Sequence, residues 1–561
     1  MSNATETAAP VQMVNVQIDG VWLQFPKGTR VIEACSQASK FIPRYCYHPK
    51  LSSPGNCRMC LIELGTPKMT PDRKPVLGAD GKPEIAWIPR PQISCAQDVS
   101  EGMGIRTDSP MVQECRKGVM EFLLINHPLD CPICDQAGEC RLQEFSVEYG
   151  QAESRFLEHK VKKAKNVELG PRVTLDGERC ILCTRCIRFM KEVADDDVLG
   201  IVDRGSFNTI ACHPDRILDN NYSLNTVDIC PVGALTSSDF RFKMRVWFLK
   251  ETKTIDVNCA TGSNLTIGSR ENVIYRITPR ENNDVNGNWL PDSHRLNFKY
   301  VNDERRLQQP TVKGQPVDWR TAIAIAGEIL KSKSSDQLWL VASGRSTNEE
   351  LFLASRLAEA LEIQKQHDIV PRNGAADGLL VAADRNPNTA GAKLLGITTS
   401  KPGGRFKKLV EGVRGGTIKV VITLGEDLTK TGLTEDDLAK LEAIIALDLL
   451  PNQTTPHATV LFPASAWCEK RGSMINLKGR LQRLNRAVQP PGEARDDWEI
   501  LRDLLGAVAG PSELLAIEDV FKAMAAEVEE LAGLSLSKIG DLGVVVIAEK
   551  TALVETASAA S

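Results

Sequence analysis

Cysteine placement constrains this chain more than any other feature. Fifteen of its 16 cysteines lie between Cys35 and Cys259, and only Cys468 falls beyond. Several stand at Cys-x2-Cys spacing. In an oxidising compartment such a set would read as disulfides, but in a reducing one clustered thiols bind metal. The opening MSNATETAAP has neither the basic and apolar regions of a signal peptide nor the Arg-rich character of a transit peptide. No apolar run approaches the roughly 18 residues needed to cross a bilayer. The expected setting is therefore reducing, a bacterial cytoplasm, with a metal-rich front half and a metal-poor back half. At 561 residues the chain is too long for one core and suggests about three or four domains. Its 68 basic and 72 acidic residues leave a net charge of -4, without the excess of a dedicated nucleic-acid binder.

Three constellations stand out. Cys46, Cys57, Cys60 and Cys95 comprise one close pair flanked by two single thiols, the pattern that holds two bridged irons in plant-type ferredoxins. The ten residues between Cys46 and Cys57 are more than those proteins use, and a zinc knuckle shares the close pair. An upstream hairpin signal favours iron–sulfur. The second constellation, HPLDCPICDQAGEC, offers His127, Cys131, Cys134 and Cys140. Three thiolates leave a cubane one ligand short, which His127 could supply; a three-cysteine, one-histidine zinc site has the same composition. The third, RCILCTRCIRF, sets Cys180, Cys183 and Cys186 at x2 spacing, with Cys230-Pro231 downstream. Such a triple run wraps one face of a cubane, and a remote Cys-Pro completes it in bacterial ferredoxins. Cys212 competes for that fourth place but lacks the proline. Cys35, Cys115, Cys212, Cys259 and Cys468 remain as expected core residues.

The pattern around these sites alternates between strand and helix. VNVQIDGVWLQF (14–25) reads as a hairpin turning at Asp19-Gly20, after which Thr29 would cap a short helix carrying Val31, Ile32 and Cys35. Residues 66–91 are a Pro-, Gly- and charge-rich excursion, and 111–150 are helical apart from the loop 127–140. Beyond about 310, QLWLVAS, TIKVVITLG, LEAIIALDLL and VLFP read as buried strands, and Thr347-x-x-Glu350 as a capping box, which together indicate an α/β domain with a largely parallel sheet. The closing TALVETASAAS (551–561) reads as a flexible tail.

The order of the three spacings, with CPICDQAGEC and CPVGALTS, resembles the large iron–sulfur (75-kDa-type) subunit of respiratory complex I, NADH:quinone oxidoreductase. The WCEKRGSMINLKGRLQRLNRAVQPPGEARDDW stretch (467–498) is similar to molybdopterin oxidoreductases. The resemblance implies a multidomain α+β and α/β chain. It would comprise a β-grasp 2Fe–2S ferredoxin-like domain (12–110), a helical segment with a one-His, three-Cys 4Fe–4S site (111–150), a 4Fe–4S ferredoxin-like domain (151–252) and a truncated, degenerate molybdopterin oxidoreductase-like α/β domain (253–550). It makes His127 a ligand, and assigns one 2Fe–2S cluster to the Cys46 set and a 4Fe–4S cluster to each of the other two. Some bacterial members carry a fourth cluster; at the matching positions this chain has Asp256, Cys259, Ser263 and Pro291. One thiolate cannot hold a cubane, so no fourth cluster, no molybdopterin and no metal site apart from the three clusters are expected.

The function implied is single-electron relay within a proton-translocating NADH dehydrogenase, combined with scaffolding of its peripheral arm. Expected partners are a flavin-bearing NADH-binding subunit, a two-cubane ferredoxin-type subunit and other peripheral-arm subunits, on the cytoplasmic side of the bacterial inner membrane and with no nucleic acid. No strand–GxGxxG–helix fingerprint for nicotinamide binding is present, and no catalytic residue is assigned to this chain alone. Arg58, Arg185 and Arg188 neighbour ligands in sequence, and would either offset cluster charge or sit solvated at the surface. The rival readings are a cluster-bearing subunit of a formate dehydrogenase or hydrogenase, and a zinc-binding scaffold without redox work.

Overall fold

The computed structural model describes residues 12–548, so the expected tail at 551–561 lies outside the described residues. The chain divides into two compact units, meeting in sequence at Trp247 and Phe248.

The front unit begins with the hairpin Met13–Ile18 and Val21–Pro26, registered Val14↔Phe25 and Val16↔Leu23. Asp19 and Gly20 both take positive φ (47° and 86°), the turn geometry whose twist suits a two-residue hairpin. Met13–Ile18 also pairs in parallel with Met103–Arg106, which lies antiparallel to Leu61–Pro67. Val14, Val16 and Ile18 bury one face of this mixed sheet against Val31, Ile32 and Cys35 of the helix Val31–Gln37. This is the β-grasp arrangement. The helix start differs from the expectation: its N-cap is Arg30, and the Thr29 hydroxyl donates to the Pro26 carbonyl at 2.7 Å instead. The helix needs no side-chain cap at Val31, because that N–H donates to the Gln97 carbonyl at 2.9 Å. The excursion at 66–91 is ordered as a narrow, largely exposed ladder, closed by the strand Ile85–Trp87.

Pro110–Leu124, capped by the Ser109 hydroxyl, and Arg141–Tyr149 are the helices flanking the loop that carries His127 and three cysteines. The remainder of the front unit has a three-stranded sheet with Val173–Leu175 at its centre, the hairpin Leu199–Val202 and Thr209–Cys212, and the helix Arg185–Glu192.

In the back unit, Leu338–Ala342, His367–Ile369, Val420–Leu424, Ala443–Asp448 and Val460–Pro463 form a parallel sheet with a short antiparallel edge. Leu340, Ile422 and Ile445 face the helices Trp319–Lys331, Asn348–Ala360 and Asp497–Ala509 on one side. Trp339, Val421 and Ile444 face Phe406–Arg414 on the other. Both faces are covered, so the strands are apolar throughout rather than alternating. The Thr347–Glu350 capping box is formed. A smaller antiparallel sheet, Lys250–Ile255, Asn264–Arg270 and Val273–Pro279, packs around its own core with Leu290 and Cys468.

Candidate metal centres

The first constellation closes in space. Cys46, Cys60 and Cys95 are buried, and Cys57 is half-buried. Cys57 is within hydrogen-bonding reach of Cys46, Cys46 of Cys95, and Cys95 of Cys60, so the four thiols form one continuous group. The Cys46 backbone N–H points at the Cys57 sulfur at 3.5 Å. Arg58, inside the Cys-x2-Cys loop, takes a left-handed φ of 61°. That conformation turns the loop so tightly that both thiols face inward, at a cost of about 1–2 kcal/mol held by the surroundings. The Arg58 side chain itself is exposed.

The third constellation behaves alike. A single small cavity is lined by Cys180, Cys183, Cys186 and Cys230 together with Leu175, Ile210 and Leu235. Leu182 and Thr184 adopt left-handed φ of 53° and 59°, wrapping the loop around the cavity, and the Leu182 N–H reaches the Cys180 sulfur at 3.4 Å. Burial raises all four thiols above their ordinary range, with neighbouring thiols adding to it: Cys180 to about 11, Cys183 to about 12, Cys230 to about 11, and Cys186 well above its usual value. Neutral thiols at such density mark a place where deprotonation waits on a cation. Cys212 is not among them; its thiol donates to the Leu169 carbonyl at 3.3 Å.

In the second constellation Cys134 and Cys140 are buried, His127 is half-buried and Cys131 is exposed. The three sulfurs lie within electrostatic reach of one another. Burial, reinforced by Arg179 and Lys160, pulls the His127 imidazole down to about 4, leaving it neutral as a ligand must be. Around it, Asp130 is clamped by Arg179 at 2.6 Å, and Arg245 donates to the carbonyls of Cys134 (2.6 Å) and Pro132. Gly233 is required here: a Cβ would come within 2.3 Å of the Cys134 sulfur.

Sequence alone did not foresee how the three groups interlock. Arg188 is buried and donates to the carbonyls of Cys46 (2.6 Å), Cys183 (3.3 Å) and Ser52, and so bridges the first and third groups. Arg185 donates to the carbonyls of Tyr47 and Ile229 (3.1 Å), next to Cys46 and Cys230, and its Nε is buried with no hydrogen-bond partner. Among the described residues neither guanidinium pairs with a carboxylate. Two enclosed cations set between two groups of thiols fit anionic clusters, which would supply the missing counter-charge. The Cys140 thiol lies 3.9 Å from the carbonyl of Pro231, adjacent to Cys230, which joins the second and third groups. Tyr45, fully buried beside Cys46, donates its hydroxyl to the Met120 sulfur at 3.3 Å within electrostatic reach of both Cys57 and Cys140, with its ring edge-on to Phe145 at 5.4 Å.

Of the remaining cysteines, Cys35 and Cys468 are core, as expected, whereas Cys115 and Cys212 are only half-buried. Cys259 is buried in the back unit, but its neighbourhood is polar. The position matched to a fourth-cluster ligand, Pro291, contributes no donor; three residues on, His294 approaches Asp256 at 2.6 Å. The strand ends where an open α/β sheet usually receives a ligand are filled internally. Ser343 donates to Glu426 at 2.6 Å, and Arg372 clamps the same carboxylate at 2.6 and 2.5 Å.

Ferredoxin-type domains joined to a molybdopterin oxidoreductase-like α/β domain define a class of iron–sulfur oxidoreductase chains. Family models match segment by segment: a 2Fe-2S iron-sulfur cluster binding domain over 11–110, the NADH-ubiquinone oxidoreductase-G iron-sulfur binding region over 116–155, the ferredoxin-like domain of NADH-quinone oxidoreductase subunit 3 over 170–236, the NDSU1/NuoG-like 4Fe-4S domain over 249–299, and molybdopterin oxidoreductase over 362–507. An NADH-quinone oxidoreductase subunit of Rickettsia conorii (strain ATCC VR-613 / Malish 7) is 30% identical, over 88% of this chain and 87% of that one. The mitochondrial NADH-ubiquinone oxidoreductase 78 kDa subunit of Candida albicans (strain SC5314 / ATCC MYA-2876) is 31% identical over 88% and 82%. The mitochondrial NADH dehydrogenase [ubiquinone] iron-sulfur protein 1 of Solanum tuberosum reaches 42% identity, over 61% of this chain but 44% of that protein. A crystal structure of NAD+-reducing [NiFe]-hydrogenase in the H2-reduced state aligns with a TM-score of 0.35 at 25% identity, over 42% of this chain and 91% of that one. The chain belongs to the family of the large, 75-kDa-type iron–sulfur subunit of NADH-quinone oxidoreductase.

Proposed function

We propose that the chain is the multicluster electron relay of an NADH:quinone oxidoreductase. Cys46, Cys57, Cys60 and Cys95 would hold a 2Fe–2S cluster, His127, Cys131, Cys134 and Cys140 one 4Fe–4S cluster, and Cys180, Cys183, Cys186 and Cys230 another. Each cluster supplies a site that accepts and releases one electron without proton or hydride chemistry of its own. The protein's residues do the rest. Bulky left-handed residues fix two of the loops, apolar walls exclude water, and Arg185 and Arg188 offset negative charge between sites. The observation that carries the reading is the interlocking of the three groups through Arg188, Tyr45 and the Cys140–Pro231 contact. Isolated structural zinc sites have no need of such closeness.

The exposed Cys131, with Leu129 and Ile133 also exposed beside it, makes the His127 site the one best placed for electron exchange with another subunit. Electrons would enter from a flavin-bearing, NADH-binding subunit and leave toward a two-cubane ferredoxin-type subunit. No described helix is long and apolar enough to cross a membrane, which suits a peripheral place on the cytoplasmic side of the membrane. The back half would serve packing and docking without a pterin, because Glu426, Arg372 and Ser343 occupy the strand ends.

Metal and sulfide analysis of anaerobically purified protein, followed by low-temperature EPR after reduction, tests this. One binuclear and two cubane clusters predict about ten irons and about ten sulfides per chain, with no molybdenum. Several equivalents of zinc with little iron would overturn the relay.

A further inference from the structure

The loop 256–263 joins the strands Lys250–Ile255 and Asn264–Arg270, and it meets the short helix Asp292–Arg295. There Asp256, Cys259 and His294, all buried, bring one ligand atom each within 4.8 Å of one another. Around a tetrahedral zinc ion, sulfur, nitrogen and oxygen ligands at about 2.0–2.3 Å stand roughly 3.3–3.8 Å apart, so the hydrogen-bonded Asp256–His294 pair, now at 2.6 Å, would open by about an ångström to admit the ion. Their supports are those of a ligand set. Asp256 Oδ1 accepts from the Asn258 backbone N–H at 3.1 Å and its side-chain amide at 2.6 Å, which leaves Oδ2 turned to His294 Nδ1 at 2.6 Å. The Asn258 amide is itself held by Asn297 at 2.5 Å. Outer hydrogen bonds of this kind orient metal-binding carboxylates and imidazoles. Ser263, whose carbonyl accepts from the Asp256 N–H at 2.8 Å, has a buried hydroxyl with no partner among the described residues.

We infer that Asp256, Cys259 and His294 form a mononuclear site for a divalent transition metal of the zinc type, with the Ser263 hydroxyl or a water in the fourth position. The region lies within the segment matched by a family model described as a 4Fe–4S domain. One thiol does not fit a cubane, whereas a Cys, His, Asp set fits a borderline ion. Without an ion, His294 and Asp256 hydrogen-bond one another and the Cys259 thiol turns to the Leu380 carbonyl at 3.6 Å. Binding releases the thiol proton, leaves the imidazole proton on Nε2, and staples the loop to the helix.

The test uses the full chain, purified anaerobically in metal-free buffer, titrated with Zn2+ and dialysed against a weak competing chelator. One zinc per chain should remain, with X-ray absorption giving one sulfur among nitrogen and oxygen neighbours. Cys259→Ser and His294→Gln should each lose that zinc by tenfold or more in affinity while iron content is unchanged, and wild-type protein should melt higher with zinc than without. Iron content reports only on the front unit, so a cooperative melt of each zinc-free variant like that of zinc-free wild type is the measure that the back unit remains folded. Wild type that retains no zinc, variants that retain it equally, or about four further irons per chain in place of zinc would each overturn the site.

Discussion

Replacing Arg188 by methionine removes a buried positive charge from between the first and third cysteine groups, each proposed to hold a cluster. Its guanidinium touches the carbonyls of Cys46 and Cys183, so it stands within one residue of a ligand on both sides. Taking a separation of about 7 Å and an effective dielectric of about 20, one unit charge acting on another is worth about 2.4 kcal/mol. At about 2.3 kcal/mol per 100 mV for a single charge, each adjacent cluster becomes harder to reduce by about 100 mV. The cluster proposed on His127 would lie beyond Tyr45 and Pro231 and should move by less than half as much. Redox titration followed by EPR reads all three midpoints in one sample. Arg188→Lys keeps the charge, loses the forked contacts, and should recover most of the potential while melting lower than wild type. Midpoints of both adjacent clusters within about 20 mV of wild type, with clusters intact, would refute the argument. So would an equal shift at all three.

Other expectations follow from the same contacts. His127→Cys should keep its cluster but lower its midpoint, since thiolate is more negative than imidazole; a midpoint at or above wild type would count against ligation by His127. Arg306→Met strands the buried Glu469, now clamped at 2.9 and 2.7 Å, and should cost about 3–5 kcal/mol in denaturant unfolding, largely restored by adding Glu469→Gln. Burial raises Glu349 to about 7 despite its bonds to Ser473. Its folded value lies above its unfolded one, so its contribution is full below pH about 4.5 and is lost as pH rises through about 7. Glu349→Gln should therefore flatten the fall in melting temperature across that window; an unchanged slope would exclude Glu349 as its source. A chain ending after Trp247 should retain all three clusters, and loss of every cluster from soluble protein would show that the front unit depends on the back.

Much of the fold was legible because its signals are local. An Asp-Gly pair between alternating strands sets a hairpin whatever surrounds it, and apolar runs bounded by turns mark strands covered on both faces. The helix at Val31 shows the limit. Thr29 is a good cap by composition, but a carbonyl from Gln97 took over the task, and only the packed sheet brings that carbonyl there.

The candidate centres divide the same way. Thiols with two residues between them converge through a single tight turn, so Cys57 with Cys60, and Cys180 with Cys183 and Cys186, were determined by sequence alone. Which distant thiol joins them depends on tertiary contacts: Cys230 lines the cavity and Cys212 does not. The three arginines near ligands look equivalent in sequence, yet Arg58 is exposed while Arg185 and Arg188 are enclosed between centres. His294 carried no motif at all. It entered the company of Asp256 and Cys259 only because a short helix folds against a loop remote from it in sequence. Spacing fixes what a chain can wrap around locally; burial, charge balance and remote ligands are properties of segments brought together, and those the fold alone decides.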